Sequence, residues 1–172
     1  MKQRLLKKFF SSLGLGESRK EDRNSLPLIF LAATVVTAST IIETAIKQPG
    51  LNPTSAILGF SMFLAGLALR LTGQFTLGKQ FDMRVRILKD HEIIDTGIYR
   101  HIRHPMYTGF ILIFAGLPLA LQSWVGTASA LILFTPSGLY RIRIEEAALM
   151  KKFGKKYRAY MSRTERLIPF IW

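Results

Sequence analysis

Residues 97–109 read GIYRHIRHPMYTG, so basic, imidazole and phenolic side chains stand directly before an apolar run. A second polar cluster, residues 141–146 (RIRIEE), ends another apolar run about forty residues later. Pro105 suits the first turn of a helix, where a backbone N–H would lack a partner in any case. Two polar clusters that each lie at the mouth of a hydrophobic segment predict a polar site at a membrane surface.

Two apolar runs, residues 26–46 and 54–71, are long enough to cross a bilayer core of ~30 Å. Gly59 and Gly66 in the second run would allow a neighbouring helix to approach closely. Two charged side chains near the ends of these runs are expected to extend to the interface rather than form a buried site: Glu43 and Arg70.

Two further apolar runs, residues 105–121 and 124–140, are separated only by Gln122-Ser123. Both are short for a full span, which predicts a tight helical hairpin. Pro118 and Pro136 are expected to kink the first and the second of these helices, because proline cannot donate a backbone hydrogen bond.

The distribution of lysine and arginine gives the expected orientation. The chain carries seven in residues 1–25, one in 47–53, seven in 70–104, none in 122–123 and nine in 141–172. This alternation predicts four spans with both termini cytoplasmic. It also explains the net charge of +13 without nucleic acid as a partner. The chain has no cysteine, which excludes disulfides, thiolate metal sites and a cysteine nucleophile.

Three kinds of group would converge at the hairpin: donors at a helix N-terminus, flat aromatic rings and carboxylate acceptors. They are supplied by Arg103, His104, Tyr99, Tyr107, Glu145 and Glu146. This inventory suits a ligand with a carboxylate, an amine, a sugar and a base, and S-adenosylmethionine has all four. The competing interpretation is that the same side chains are interfacial anchors and a solvated helix face.

The spacing of these residues resembles the isoprenylcysteine carboxyl methyltransferase family and, more loosely, phospholipid N-methyltransferases. The resemblance covers roughly residues 70–172. It rests on Gly97-x-Tyr99-x-x-x-Arg103-His104-Pro105-x-Tyr107-x-Gly109, Arg141-x-x-x-Glu145-Glu146, Phe153-Gly154 and Arg166-x-Ile168-Pro169.

The resemblance implies methyl transfer from S-adenosylmethionine to a lipophilic acceptor at the membrane, with carboxyl O-methylation of an isoprenylcysteine-like acceptor as the first expectation. Arg141 would be the catalytic residue that orients the acceptor carboxylate, with Arg143 as the alternative if the helix register differs. No metal ligands are expected. The implied cofactor contacts are His91, Glu92, Ile93, Ile94, Tyr99, His104, Pro105, Met106, Tyr107, Glu145 and Glu146.

We therefore predict an all-α, multi-pass integral membrane protein with about four transmembrane helices, a C-terminal helical hairpin and a cytoplasmic cofactor pocket. Residues 26–172 would form a membrane-embedded methyltransferase domain whose cofactor-binding core is residues 84–172. Residues 1–25 would be either a basic amphipathic helix on the membrane surface or a disordered tail. The expected partners are a lipophilic or prenylated substrate and membrane lipids.

Three alternatives remain open. A phospholipid N-methyltransferase would use the same cofactor site with an amine acceptor. A sterol-reductase-like enzyme would use NADPH, but that family has Asn after Arg-His and Arg-Asp in place of Glu-Glu, so Pro105 and Glu145-Glu146 favour methyl transfer. A non-enzymatic membrane scaffold would have no affinity for the cofactor.

Overall fold

A computed structural model describes residues 25–50, 52–78, 81 and 92–168 of the chain. Its helices are α1 (Ser25–Lys47), α2 (Pro53–Leu77), α3 (Pro105–Ala120), α4 (Trp124–Ser129), α5 (Thr135–Phe153) and α6 (Lys155–Met161). The predictions for the N-terminal segment up to residue 24, and for His91, lie outside the described residues. Within them the only β-type pairing is one isolated bridge between Ile102 and Glu165, so the all-α prediction is confirmed there.

Helices α1 and α2 are long and apolar enough to cross a membrane. Their best 18-residue windows have mean hydropathies of 2.0 and 1.6, yet only 22% and 17% of those windows are buried in the protein. Large apolar side chains such as Ile46 and Phe75 are 77% and 80% exposed. Water would be an unfavourable solvent for apolar surface of this extent, whereas lipid is a favourable one. The shorter helix α3 is also apolar but spans only 16 residues.

Glycines form the contact between α2 and α3. Gly59, Gly66 and Gly73 recur every seven residues, which places them on one face of α2. A Cβ atom at Gly59 would lie 2.3 Å from the backbone nitrogen of Ala120, and one at Gly66 would lie 2.6 Å from the carbonyl oxygen of Gly109. The two backbones are therefore in direct contact, which confirms the close packing predicted at Gly59 and Gly66.

Gly66→Ala is expected to lower the free energy of unfolding by roughly 1–3 kcal/mol, because the added methyl group meets the rigid backbone of α3. Thermal unfolding of the detergent-solubilised protein measures the change. Gly50→Ala is the matched control, since nothing lies within 4 Å of a Cβ at that position. Equal unfolding temperatures for the two variants would contradict the close contact.

Helices α4 and α5 follow one another through a single π-helical turn, Ala130–Phe134. Pro136 explains this distortion, since it has no N–H to donate to the carbonyl four residues earlier. The N–H of Thr135 bonds instead to the carbonyl of Ala130, five residues back. Leu121, Gln122 and Ser123 join α3 to α4, in agreement with the predicted hairpin.

Glu43 is buried rather than interfacial, so that prediction is wrong. Its side chain accepts hydrogen bonds at 2.8 Å from the Ser123 hydroxyl and from the backbone N–H of Val125, and Lys47 Nζ lies 2.6 Å from its other oxygen. The reason is that the first backbone N–H groups of α4 need acceptors, and a carboxylate there also interacts favourably with the helix dipole. Glu43 thus fastens α1 to the start of α4.

Candidate active site

A cavity of about 290 Å³ lies between α1, α3 and α5. Aromatic rings form much of its apolar wall: Phe30, Phe110, Phe114 and Phe134. Among the residues that the structure describes, its polar lining consists of Arg70, Tyr107, Arg141 and Glu145. A mostly apolar pocket with a few convergent polar groups is the usual form of a small-molecule site.

The polar groups from α3 and α5 are linked by hydrogen bonds. Arg141 Nε donates to the Tyr107 hydroxyl at 3.1 Å, and that hydroxyl donates to Glu145 Oε2 at 3.0 Å. Arg141 and Glu145 are four residues apart and share one face of α5. The Tyr107 hydroxyl therefore joins the Arg141 guanidinium and the Glu145 carboxylate at the edge of the cavity.

Arg70 also lines this cavity instead of extending to the interface as predicted. Its guanidinium lies 5.1 and 5.0 Å from the ring centroids of Phe81 and Phe110, and its Nη1 donates to Gln74 Oε1 at 2.6 Å. Stacked aromatic rings favour a cation in this position. The residues around Arg70 in the sequence do not indicate that its side chain turns inward, because its partner Phe110 lies on another helix.

Glu146 is paired with two arginines and a histidine instead of lining the cavity. Its oxygens lie 3.1 Å from Arg103 Nε, 3.3 Å from His104 Nε2 and 2.9 Å from Arg166 Nη2. Burial alone would raise the pKa of Glu146, but the hydrogen bonds from His104, Arg166 and Arg103 outweigh it and lower the pKa to about 2.

The same cluster fastens the C-terminal segment to the start of α3. Arg103 Nη1 donates to the carbonyls of Met161 and Thr164, and the backbone N–H of Arg103 donates to the carbonyl of Glu165 at 2.8 Å. The backbone N–H of His104 donates to the carbonyl of Arg166 at 3.1 Å. These bonds determine where Pro105 begins α3 and therefore where Tyr107 points.

Tyr99 lies in a 3-10 turn, Gly97–Arg100, before α3. Its ring is 5% exposed, and its hydroxyl has no hydrogen-bond partner among the residues that the structure describes. Burial, together with the nearby charge of Glu145, raises the pKa of Tyr99 well above its usual range, so the hydroxyl stays protonated. A buried donor without a partner is costly, which suggests that a bound molecule accepts from it.

The structure brings some predicted site residues together and separates others. Arg141, Met106, Tyr107 and Glu145 line the cavity. Tyr99, His104, Pro105 and Glu146 are buried but do not line it. Glu92 is exposed, while Ile93 and Ile94 are half-buried in the segment before the 3-10 turn. Cofactor contact by any of these residues stays a prediction.

Arg143, the alternative to Arg141, is exposed on α5, whereas Arg141 is 4% exposed. Residues two positions apart on a helix point in directions that differ by about 200°, so only one of the two arginines can face the cavity. The register of α5 therefore favours Arg141.

The chain is similar in sequence to a known protein family and to several of its members. A sequence model of the Isoprenylcysteine carboxyl methyltransferase (ICMT) family matches residues 57–151. The chain is 27% identical over 146 residues to protein-S-isoprenylcysteine O-methyltransferase B of Arabidopsis thaliana, covering 83% of this chain and 74% of that protein. It is 34% identical over 119 residues to protein-S-isoprenylcysteine O-methyltransferase of Schizosaccharomyces pombe, covering 68% of this chain and 50% of that protein.

The fold is similar to that of a solved structure, the eukaryotic intramembrane Ras methyltransferase ICMT, with a TM-score of 0.65 and 28% sequence identity. The match covers 84% of this chain and 53% of the solved one. The chain therefore spans about half to three quarters of the length of these relatives. Together with two apolar helices of spanning length, the similarity supports a membrane location. Because the family model matches more than half of its residues, the chain belongs to the isoprenylcysteine carboxyl methyltransferase family.

Proposed function

We propose that this protein transfers a methyl group from S-adenosylmethionine to the carboxylate of an isoprenylcysteine-like acceptor at the membrane. The observation that carries the proposal is the position of Arg141 at a cavity whose other walls are largely apolar. An acceptor that joins a carboxylate to a hydrocarbon chain is complementary to that combination. The relatives' names support the same acceptor class.

An anionic acceptor fits the cavity better than an amine acceptor does. Two arginines, Arg70 and Arg141, line it against one carboxylate, Glu145, and this excess of positive charge would disfavour a protonated amine. A guanidinium can bind a carboxylate through two parallel hydrogen bonds, which fixes the orientation of both groups. This charge arrangement favours carboxyl methylation over phospholipid N-methylation.

The cofactor site would adjoin the same cavity. Glu145 would accept from the amino group or a ribose hydroxyl of S-adenosylmethionine, and the partnerless Tyr99 hydroxyl would donate to it. When bound, S-adenosylmethionine supplies an electrophilic methyl group on its sulfonium. The protein's part is to align the acceptor oxygen by Arg141 and to exclude water with the aromatic walls, because in-line displacement depends mainly on positioning.

We further propose a topology with four spans, in which α3 and residues 124–140 join α1 and α2 in crossing the bilayer, α5 leaves the membrane from residue 141 onward, and both termini are cytoplasmic. The excess of lysine and arginine in residues 1–25, 70–104 and 141–172 supports it. In this arrangement residues 26–172 form the membrane-embedded methyltransferase domain. The substrate enters from the lipid and the cofactor from the cytoplasm.

Transfer of label from S-adenosylmethionine to a farnesylcysteine analogue by the detergent-solubilised protein tests the function. Phosphatidylethanolamine assayed in parallel tests the amine alternative. Calorimetry with S-adenosylhomocysteine is the second measurement. Absence of binding at millimolar concentration would contradict both methyltransferase functions, and labelling of the phospholipid alone would contradict the carboxyl acceptor.

Gly138→Leu is expected to raise the acceptor KM by at least about tenfold, because its side chain occupies space that an acceptor chain would fill. Gly138 lines the cavity, and a Cβ there meets only Tyr107 Cδ1 at an ordinary 3.8 Å, so the backbone need not move. Gly138→Ala is the matched control and should keep a nearly unchanged KM. Affinity for S-adenosylhomocysteine should be the same in both. An unchanged acceptor KM in Gly138→Leu would place the acceptor elsewhere.

A further inference from the structure

Helix α1 precedes residues 57–151, which the family model matches, yet its first residue contacts Arg141. Ser25 Oγ accepts a hydrogen bond from Arg141 Nη1 at 2.9 Å. Ser25 is completely buried, and Arg141 is 4% exposed. A hydrogen bond to a charged group in such a site is short, directional and shielded from competition by water.

The hydrogen bond to Ser25 is a second contact of the Arg141 guanidinium, beside the one to Tyr107. Arg141 Nε donates to the Tyr107 hydroxyl, which in turn donates to Glu145. Ser25 and Tyr107 therefore engage two different nitrogens of one rigid, planar group. Two such contacts fix both the position of the guanidinium and the rotation of its plane.

The same helix also shapes the cavity. Leu26, Ile29, Phe30 and Ala33, which follow Ser25 along α1, line its apolar wall. The helix that would contact the acceptor's hydrocarbon chain thus also orients the cation that would contact the acceptor's carboxylate.

We propose that Ser25 is a positioning residue for methyl transfer, which aims the Arg141 guanidinium at the acceptor carboxylate. This inference rests on the proposed function. The competing role for Ser25 is purely structural, as a residue that anchors the start of α1 on α5. The two roles predict different behaviour of activity and stability.

Ser25→Ala is expected to lower kcat/KM for the acceptor by about ten- to a hundredfold, the factor that a hydrogen bond to a charged group contributes. The KM for S-adenosylmethionine should not change. Ser25→Thr keeps the hydroxyl and should restore most of the activity. Ser39→Ala is the matched control on the same helix, because the Ser39 hydroxyl donates to the carbonyl of Val36 within α1 and, among the described residues, has no contact with Arg141. Its kcat/KM should equal that of the wild type.

Coupling to Arg141 is tested in an Arg141→Lys background, where Ser25→Ala should cause little further loss. Three results would overturn the proposal: wild-type kcat/KM in Ser25→Ala, full additivity with Arg141→Lys, or a loss that Ser25→Thr does not restore and that parallels a fall in unfolding temperature.

A measurement that needs no acceptor separates this proposal from the proposed function. In ¹⁵N-arginine NMR of the solubilised protein, hindered rotation of the Arg141 guanidinium should give separate Nη signals, assigned by their loss in Arg141→Lys. Ser25→Ala should merge them. Signals that are identical in the wild type and Ser25→Ala would overturn the positioning role even if no prenylcysteine is methylated. Merged signals in an inactive protein would support the positioning role and contradict only the function.

Discussion

Arg141→Ala is expected to reduce methyl transfer to a prenylcysteine acceptor by at least about thirtyfold, while the affinity for S-adenosylhomocysteine changes by no more than about threefold. Removing one partner of a desolvated charge pair costs about 2–5 kcal/mol, which corresponds to roughly 30- to 5,000-fold. The loss should appear in kcat/KM for the acceptor. Single-turnover labelling at saturating cofactor, with calorimetry alongside, measures both quantities.

Arg143→Ala is the matched control for this experiment. Arg143 is two residues away on the same helix but exposed, so its removal changes the net charge equally without altering the cavity. Its activity should stay within about twofold of the wild type, as expected for a surface substitution. The assignment of Arg141 would be contradicted if the variant lost cofactor binding but turned over normally at saturation. A larger loss in Arg143→Ala than in Arg141→Ala would move the role to Arg143.

The sequence was sufficient to predict local features that depend on one segment at a time. The apolar runs gave the helices, Pro105 gave the start of α3, and the spacing of Gly59 and Gly66 gave a face that another backbone can approach. Each of these follows from residue type and helical periodicity alone. The motifs from Tyr99 onward similarly contain four of the residues that line the cavity, Met106, Tyr107, Arg141 and Glu145.

The errors fall where a polar side chain has a partner far away in the chain. Glu43 and Arg70 lie near the ends of apolar runs, where an interfacial role is the usual one. Their actual partners, Ser123 for Glu43 and Phe110 for Arg70, are on other helices and are brought near only by tertiary packing. Ser25 escaped notice for the same reason, since its contact with Arg141 crosses most of the chain.

The pair Glu145-Glu146 illustrates the limit most directly. The side chains of adjacent helical residues point in directions about 100° apart, so two neighbouring glutamates can lie in two different environments. Glu145 lines the cavity beside Tyr107, while Glu146 faces Arg103 and Arg166. Sequence alone could not assign the two directions, because the choice depends on how α5 is rotated against α3. Neutralising Glu145 and neutralising Glu146 should therefore have different effects on stability and on cofactor binding.

Glu146→Gln is expected to lower the free energy of unfolding by about 3–5 kcal/mol, because it leaves buried cations without their shared counter-charge. Glu145→Gln is the isosteric partner experiment and should change stability far less, but weaken S-adenosylhomocysteine binding by about tenfold. Chemical unfolding in detergent and calorimetry measure the two effects. Reversed behaviour, with cofactor binding lost in Glu146→Gln and stability lost in Glu145→Gln, would exchange the roles.

The acid dependence of stability gives an independent check on Glu146. Its pKa is lowered from the usual 4.5 to about 2 in the folded protein, so the folded state favours the ionised form. The stabilisation is therefore fully present above about pH 4.5 and is lost as the pH falls toward 2. Glu146→Gln cannot titrate, so its unfolding free energy should change less over this range than that of the wild type. Parallel profiles would mean that the ion cluster contributes little, and that Arg103 and Arg166 fasten the C-terminal segment through their other contacts alone.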